Sequence, residues 1–255
     1  SPERTPTRAD LLLIVPHPDD EVFGCGGLFS KMSEAGRKVV TVTLTRGASG
    51  RTLGLCTQAE LPGRRERELR ASLQALGVAE VYVHDYPDFV PDADRGLAQN
   101  GGLRDVPEAE GVAELERILA RHQPKVVVTF PPNGSNGHPD HVTTNAWALR
   151  ALGTLSYTPS LYYFAGERPY VADTPRPGFL SAAEVRERFL PPTHYFEVGP
   201  YAENKLRAMA QHETQARSVL AFMRLNPRRL LLESFHRAEP PYPPTEGPRT
   251  VGWLT

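Results

Sequence analysis

The chain predicts an α/β fold: a three-layer α/β/α sandwich built on a mostly parallel sheet. Three observations carry this expectation. Short, uninterrupted apolar runs of strand length recur along the first 130 residues, as strands buried on both faces require. Helical patterns alternate with them. Glycines at 36 and 77 close the first two helical patterns, where a left-handed residue is favoured.

The elements follow in order. Residues 1–10 are polar, hold two prolines and read as a loose arm. Leu11-Leu12-Leu13-Ile14-Val15 is the first strand and stops at Pro16. A helix from about Asp20 to Ala35 follows, then a strand from Lys38 to Thr45 rich in β-branched residues. A loop runs from Arg46 to Gly63, a helix from about Arg64 to Leu76, and a short strand covers Val81-Tyr82-Val83. Residues 85–107 are rich in Pro, Asp and Gly and read as a long functional loop. Glu108 to His122 is amphipathic, with Val112, Leu115, Ile118 and Leu119 on one stripe. Lys125 to Phe130 is a fourth buried strand, and a helix opens near Pro139 and reaches about Leu152. Proline suits a first helical turn, where its missing N–H has no partner in any case.

A β-α-β-α-β-α-β-α succession implies a Rossmann-like sheet covered on both faces, here of order 3-2-1-4-5 plus extra C-terminal strands. The remainder predicts strands at Leu161–Phe164 and His194–Val198, a helix near Ala182–Phe189, and one long helix over Tyr201–Leu225. Five prolines between Glu239 and Pro248 forbid a helix there, so 237–255 reads as a Pro-rich tail. No repeat or domain boundary is visible, and 1–255 reads as a single domain.

Composition narrows the function. A net charge of -1 offers no general attraction to nucleic acid, and the densest basic run, Arg64 to Arg70, is interleaved with acids and reads as a solvated helix face. No apolar run approaches the ~20 residues of a membrane span. Cys25 and Cys56 are too few for a thiolate zinc site or a disulfide framework, and reduced thiols in a cytoplasm are expected. Because residue 1 is serine, the sequence also implies that something preceded it, either a signal peptide or an expression trim. Gly24-Cys25-Gly26-Gly27 lies inside the first helix and lacks a following Lys-Ser/Thr. It therefore reads as close helix–sheet packing, with Cys25 as a small buried filler, and not as a phosphate loop.

Two clusters carry chemistry, each just beyond a buried strand: Pro16-His17-Pro18-Asp19-Asp20-Glu21 and Gly137-His138-Pro139-Asp140-His141. In a sheet of order 3-2-1-4-5 the first and fourth strands flank the switch point, so both clusters face one crevice. A catalytic zinc takes three His or carboxylate ligands and leaves a fourth position for water. The clusters hold three histidines and several carboxylates. His17 and Asp20, like His138 and His141, are three apart and can converge. Nitrogen and oxygen donors suit zinc and also iron, cobalt or nickel. Either cluster alone would serve as a capped turn with acids at a helix N-terminus; the pair, at two strand exits, points to a site.

These motifs resemble the LmbE-like (PIG-L) zinc-dependent deacetylases, whose members act on N-acetylglucosamine linked to inositol, malate or lipid. The first cluster matches the family's (A/P)HPDDE signature and the second its GHPDH signature. Weaker features run from Leu11 to Gln215: Thr45-Arg46-Gly47, Arg65 with Glu68, Pro87-Asp88, and Lys205, His212 and Gln215. The resemblance implies one Zn2+ held by His17, Asp20 and His141. It makes Asp19 the general base and His138 the group that stabilises the oxyanion or protonates the leaving amine, with Asp140 orienting the His138 imidazole and keeping it protonated. Arg65 and Asp88 match sugar-contacting positions. Asn136 stands where some members carry a tyrosine, and Phe89 replaces a usual glycine, so the substrate pocket departs from the family pattern. The implied reaction is hydrolysis of an N-acetyl group from an amino-sugar conjugate, with no nucleic-acid or membrane partner; self-association is left open.

Two rivals remain. His17-Pro18-Asp19 with a distant histidine is also the pattern of a 2-His-1-carboxylate iron oxygenase, which with this spacing would be a jelly roll. A non-enzymatic metal- or sugar-binding module is the other.

Overall fold

A computed structural model describes residues 8–91 and 96–255; residues 1–7 of the expected arm and 92–95 of the expected long loop lie outside the described residues. One eight-stranded sheet runs in the order β3-β2-β1-β4-β5-β7-β6-β8. Its strands are β1 (Leu11–Val15), β2 (Val39–Thr45), β3 (Glu80–Tyr86), β4 (Val126–Thr129), β5 (Ser160–Phe164), β6 (His194–Glu197), β7 (Leu232–Glu239) and β8 (Arg249–Thr250). β1 to β5 are mutually parallel, in the expected 3-2-1-4-5 order. β7 lies antiparallel to both β5 and β6.

Strand alternation sends successive β1 side chains to opposite cores. Leu11, Leu13 and Val15 pack beneath α1 (Asp20–Glu34) and α2 (Leu61–Ala75), while Leu12 and Ile14 pack with α3 (Glu108–His122) and α5 (Pro139–Leu152). Every β1 residue is buried, which is why the run is apolar throughout. Between β4 and α5 lies the single turn α4 (Gly134–Gly137), and α6 (Ala182–Glu187) opens on a Ser181–Glu184 capping box.

The structure corrects four expectations. The helix expected over Tyr201–Leu225 is two helices, α7 (Ala202–Ala210) and α8 (Ala216–Leu225), parted by His212 and a 3-10 turn over Glu213–Gln215. There the His212 imidazole reaches Glu21, and the Glu68 carboxylate accepts from Thr214 N and Oγ1 at 3.0 and 2.7 Å. The Arg64–Arg70 run is not wholly solvated: Arg65 and Glu68, three apart, turn into the protein. β7 enters a stretch given no strand, because its Glu233 sits in the core and breaks the apolar pattern. The Pro-rich tail forms no helix, but its Arg249 and Thr250 pair with β6.

The α1 glycines admit neighbours closely, as expected. A Cβ on Gly27 would stand 2.6 Å from Val198, and one on Gly26 would stand 2.9 Å from Lys205 Cγ. Cys25 is fully buried, and both cysteines are free. Among the described residues no helix is long and apolar enough to cross a membrane.

Candidate metal centre and its cavity

β1 and β4 are neighbours in register, Leu11 opposite Val126 and Leu13 opposite Val128, so the turns that leave them open on the same crevice. The first turn is tied down by backbone and side-chain bonds. Pro16 O accepts from Thr45 N (2.9 Å) and Thr45 Oγ1 (2.8 Å), and Pro18 O accepts from Arg65. Asp20 Oδ2 accepts His17 N at 2.9 Å, closing the His-x-x-Asp turn. Asp19 sits at φ 112, a region open to glycine but strained for any residue with a Cβ. Such strain costs about 1–3 kcal/mol and persists only where surrounding bonds impose it.

The second turn is built from polar caps and positive-φ residues. Asn133 Oδ1 accepts Ser135 N at 2.9 Å, and Asn136 Oδ1 accepts His138 N at 3.0 Å. Gly134, Ser135 and Gly137 all lie at positive φ. His138 then caps α5, its Nδ1 accepting Asp140 N at 3.1 Å.

These turns set the tautomers of two histidines. His141 Nδ1 lies 2.9 Å from Gly134 O, which can only accept, so Nδ1 carries the proton and Nε2 presents a lone pair. His17 Nε2 lies 3.0 Å from Asp140 and 3.1 Å from Asp88, so that nitrogen holds a proton and Nδ1 faces His141. The three sequence-predicted ligands converge. His17 Nδ1 to His141 Nε2 is 3.2 Å, His17 Nδ1 to the Asp20 carboxylate 3.4 Å, and His141 Nε2 to that carboxylate 3.7 Å. Ligands at ~2.0–2.1 Å from a tetrahedral zinc are separated by roughly 3.3–3.4 Å, so these spacings fit. Each histidine also gives its other N–H to an oxygen, the outer support that metal-bound imidazoles need.

Electrostatics agree. Burial would push His17 towards the neutral form, but Asp140, Asp20 and Asp88 around it outweigh burial and raise its pKa well above the usual value. Burial likewise pushes Asp20 up, yet His141 and His17 hold it below the usual carboxylate range. The cluster thus favours a positive charge at its centre. A second donor grouping, His17 with His138 and Asp140, is geometrically possible. Asp140 is committed elsewhere, however: it is wholly buried and accepts from Leu103 N (2.8 Å) and Phe89 N (3.0 Å) as well as His17.

That commitment corrects two expectations. Asp140 orients His17, and its carboxylate is not the partner of the His138 ring. Burial, with His141 and His17 beside it, pushes His138 well below the usual histidine range, so the ring is neutral here and not held as imidazolium. With Nδ1 accepting Asp140 N, its Nε2 carries the proton. Asp19 behaves in the opposite sense: burial pushes its carboxyl up to about 7, in spite of Arg65 at 3.5 Å.

A cavity of about 720 Å³ opens from this centre. Asp19, Asp20 and His141 line it, Phe130 and Phe222 are among its apolar lining, and Asn136 lines it too. Arg65 and Asp88, expected to touch the substrate, are not in that lining; His17 and His138 also stand outside it, beside His141. Arg65 is buried on Gly47 O (3.0 Å) and Pro18 O; Asp88 accepts from Ser49 Oγ at 2.6 Å and braces His17.

Sequence reasoning missed Glu21 and Ser49, and named His212 only as a weaker family feature without its partner Glu21. Glu21 stood inside a signature without a role, and Ser49 lay in an unstructured-looking loop. His212 could have been placed only by seeing the helix break at 211–215, which no Gly or Pro marks.

The family profile described as PIG-L, GlcNAc-PI de-N-acetylase, matches residues 12–152, over half of the chain. The chain belongs to the PIG-L family. A curated relative, the 1D-myo-inositol 2-acetamido-2-deoxy-alpha-D-glucopyranoside deacetylase of Rhodococcus erythropolis, is 30% identical over 80% of this chain and 80% of its own length. The N,N'-diacetylchitobiose deacetylase of Pyrococcus horikoshii superposes with a TM-score of 0.64 at 20% identity, covering 89% of this chain and 82% of that one. A 4-carboxy-2-hydroxymuconate hydratase from Pseudomonas putida superposes at 0.61 and 18% identity, over 95% of this chain and 99% of its own. The PIG-L fold therefore hosts more than one reaction, and the site has to decide which applies. The layered α/β architecture also removes the jelly-roll oxygenase reading.

Proposed function

We propose that this chain is a zinc-dependent N-deacetylase that removes acetate from an N-acetylglucosamine-type conjugate. One observation carries the reading: three donors lie at tetrahedral-edge spacing, and two of them, Asp20 and His141, line a cavity together with a strained carboxylate, Asp19. A binding module has no use for that fourth group. The family match and the deacetylase relatives support the same class.

His17, Asp20 and His141 would hold the ion. Zinc, when bound, lowers the pKa of its water to about 7 and so supplies hydroxide at neutral pH. Asp19 takes the proton of the attacking water on its carboxylate and returns it to the amine nitrogen as the C–N bond breaks. The His138 Nε2–H, fixed by the Asp140 N–H on Nδ1, donates to the acetamide oxygen as negative charge develops there. A neutral imidazole can do this, as it donates through one nitrogen while the other accepts. Asn136 lines the cavity where the sugar would lie, and Arg65 and Asp88 brace the turn and His17 from behind.

The test is amine release from a panel of N-acetylglucosamine conjugates, with zinc-loaded and chelator-stripped protein compared. Turnover that vanishes on stripping and returns with zinc is expected. No release from any conjugate by the loaded protein overturns the reading.

A further inference from the structure

We propose that Glu21 and His212 are a positioning pair that holds Asp19 in its left-handed turn with the carboxylate towards the cavity. The inference rests on the reading of Asp19 as the base.

The geometry is a relay with every bond specified. Asp19 N–H donates to Glu21 Oε2 at 2.8 Å. The other oxygen, Oε1, accepts His212 Nε2 at 2.5 Å and Ser72 Oγ at 3.0 Å. Glu21 and Ser72 are fully buried and His212 is 1% exposed, so water cannot substitute for a lost partner. Asp19 has no reason of its own to sit at φ 112: it carries a Cβ, and no glycine occupies the position. The bond to Glu21 is what holds its backbone N–H there, while Arg65 holds the neighbouring carbonyl of Pro18 and lies beside the Asp19 carboxylate.

Glu21 could not do this alone. A buried carboxylate with only neutral donors would be costly to keep charged, and His212 supplies the compensating group. The chain sacrifices helix continuity to bring it there, since the break between α7 and α8 falls at His212. α2 completes the frame from one face. Arg65, Glu68 and Ser72, spaced three and four apart, touch the Pro18–Asp19 turn, Thr214 beside His212, and Glu21 respectively. Two segments 191 residues apart are thus locked to the same turn.

A pair that merely stabilised the fold would change melting behaviour and leave turnover per folded molecule alone. A positioning pair changes kcat through Asp19. His212→Ala in the full zinc-loaded chain is expected to lower kcat about 10–100-fold, the usual effect of losing outer-shell support, with KM and bound zinc unchanged. Amide hydrogen exchange at Asp19, which needs no activity, is expected to accelerate in the same variant. His212→Gln keeps an N–H donor and should recover most of both. Ser72→Ala removes one of two donors to Oε1 and should speed Asp19 exchange by a smaller factor; it carries the test if His212→Ala does not fold. Wild-type kcat and unchanged Asp19 exchange in these variants overturn the proposal, as does a loss that appears in KM or zinc content with kcat intact. If the wild type deacetylates no conjugate, the deacetylase reading falls, while exchange at Asp19 still decides the pair.

Discussion

Two buried ionic clusters sit within one fold and end differently. Around His17, three carboxylates and two further histidines crowd together; the His17, Asp20 and His141 donor atoms converge, and Asp20 and His141 line the cavity. Beneath α1, Lys205 and Glu233 meet at 2.7 Å, and both are wholly buried. That second cluster closes on itself. Lys205 Nζ spends its remaining donors on Phe23 O and Arg229 O, and Glu233 accepts Gly27 N and Leu28 N at 2.8 Å each. Buried charge that satisfies itself is architecture. Buried charge that opens on a cavity with donors to spare is where chemistry belongs.

The contrast can be broken most strongly at the open cluster. Asp19→Asn in the zinc-loaded protein should lower kcat about 10²–10⁴-fold while bound zinc and melting temperature stay near wild type. His141→Ala should abolish turnover by losing the metal itself. Metal content beside steady-state rates separates the two outcomes. Near-normal turnover in Asp19→Asn would remove the base from its role.

Breaking the closed cluster should reverse the pattern. Lys205→Met leaves Glu233 buried without the cation it is hydrogen-bonded to, a change that typically costs about 3–5 kcal/mol of folding free energy. Denaturant unfolding would register it, and kcat per folded molecule should hold. A third change tests the close packing of the same helix. Gly27→Ala would place a Cβ 2.6 Å from Val198 and should cost about 1–3 kcal/mol, again without touching turnover.

The smallest effect sharpens why carboxylates matter to the open cluster. His194 on β6 is buried, as the His17 cluster largely is, but has the Arg237 and Arg249 side chains near it; burial and these cations push it down to about 4. Its folded pKa lies below the ordinary value of 6.5, so between those values the unfolded chain binds the extra proton. Stability should therefore rise with pH from about 4 to 6.5 and be lost as pH falls through that window. His194→Phe should flatten that part of the stability–pH curve, measured by denaturant midpoints at pH 4.5 and 7.

Much of the fold was legible because its signal is local. Leu11–Val15 and Glu108–His122 begin and end where the apolar pattern does. The same holds for the two signatures, since a turn that delivers His17 and Asp20 together is written in six consecutive residues. β7 was not legible, because Glu233 near its start looks like a surface residue until Lys205 is seen beside it. The α7–α8 break was hidden for a related reason. Its 211–215 segment contains no breaker, and its departure from helix is imposed by Glu21 and Glu68, 191 and 146 residues away in sequence.

By itself, then, the sequence determined the layered α/β class and the pool of donors at two strand exits; the 3-2-1-4-5 order was an expectation from the fold type that the sheet bears out. Periodicity and motif spacing are properties of neighbouring residues, and they survive without tertiary contacts. Only the tertiary structure decided what each donor faces. It turned Asp140 to His17 and away from the His138 ring, drew Arg65 and Asp88 behind the site, and tied the strained Asp19 to a histidine from a broken helix. A side chain's partner, and so its charge and its role, depends on burial and on atoms brought near by folding, which no local pattern records.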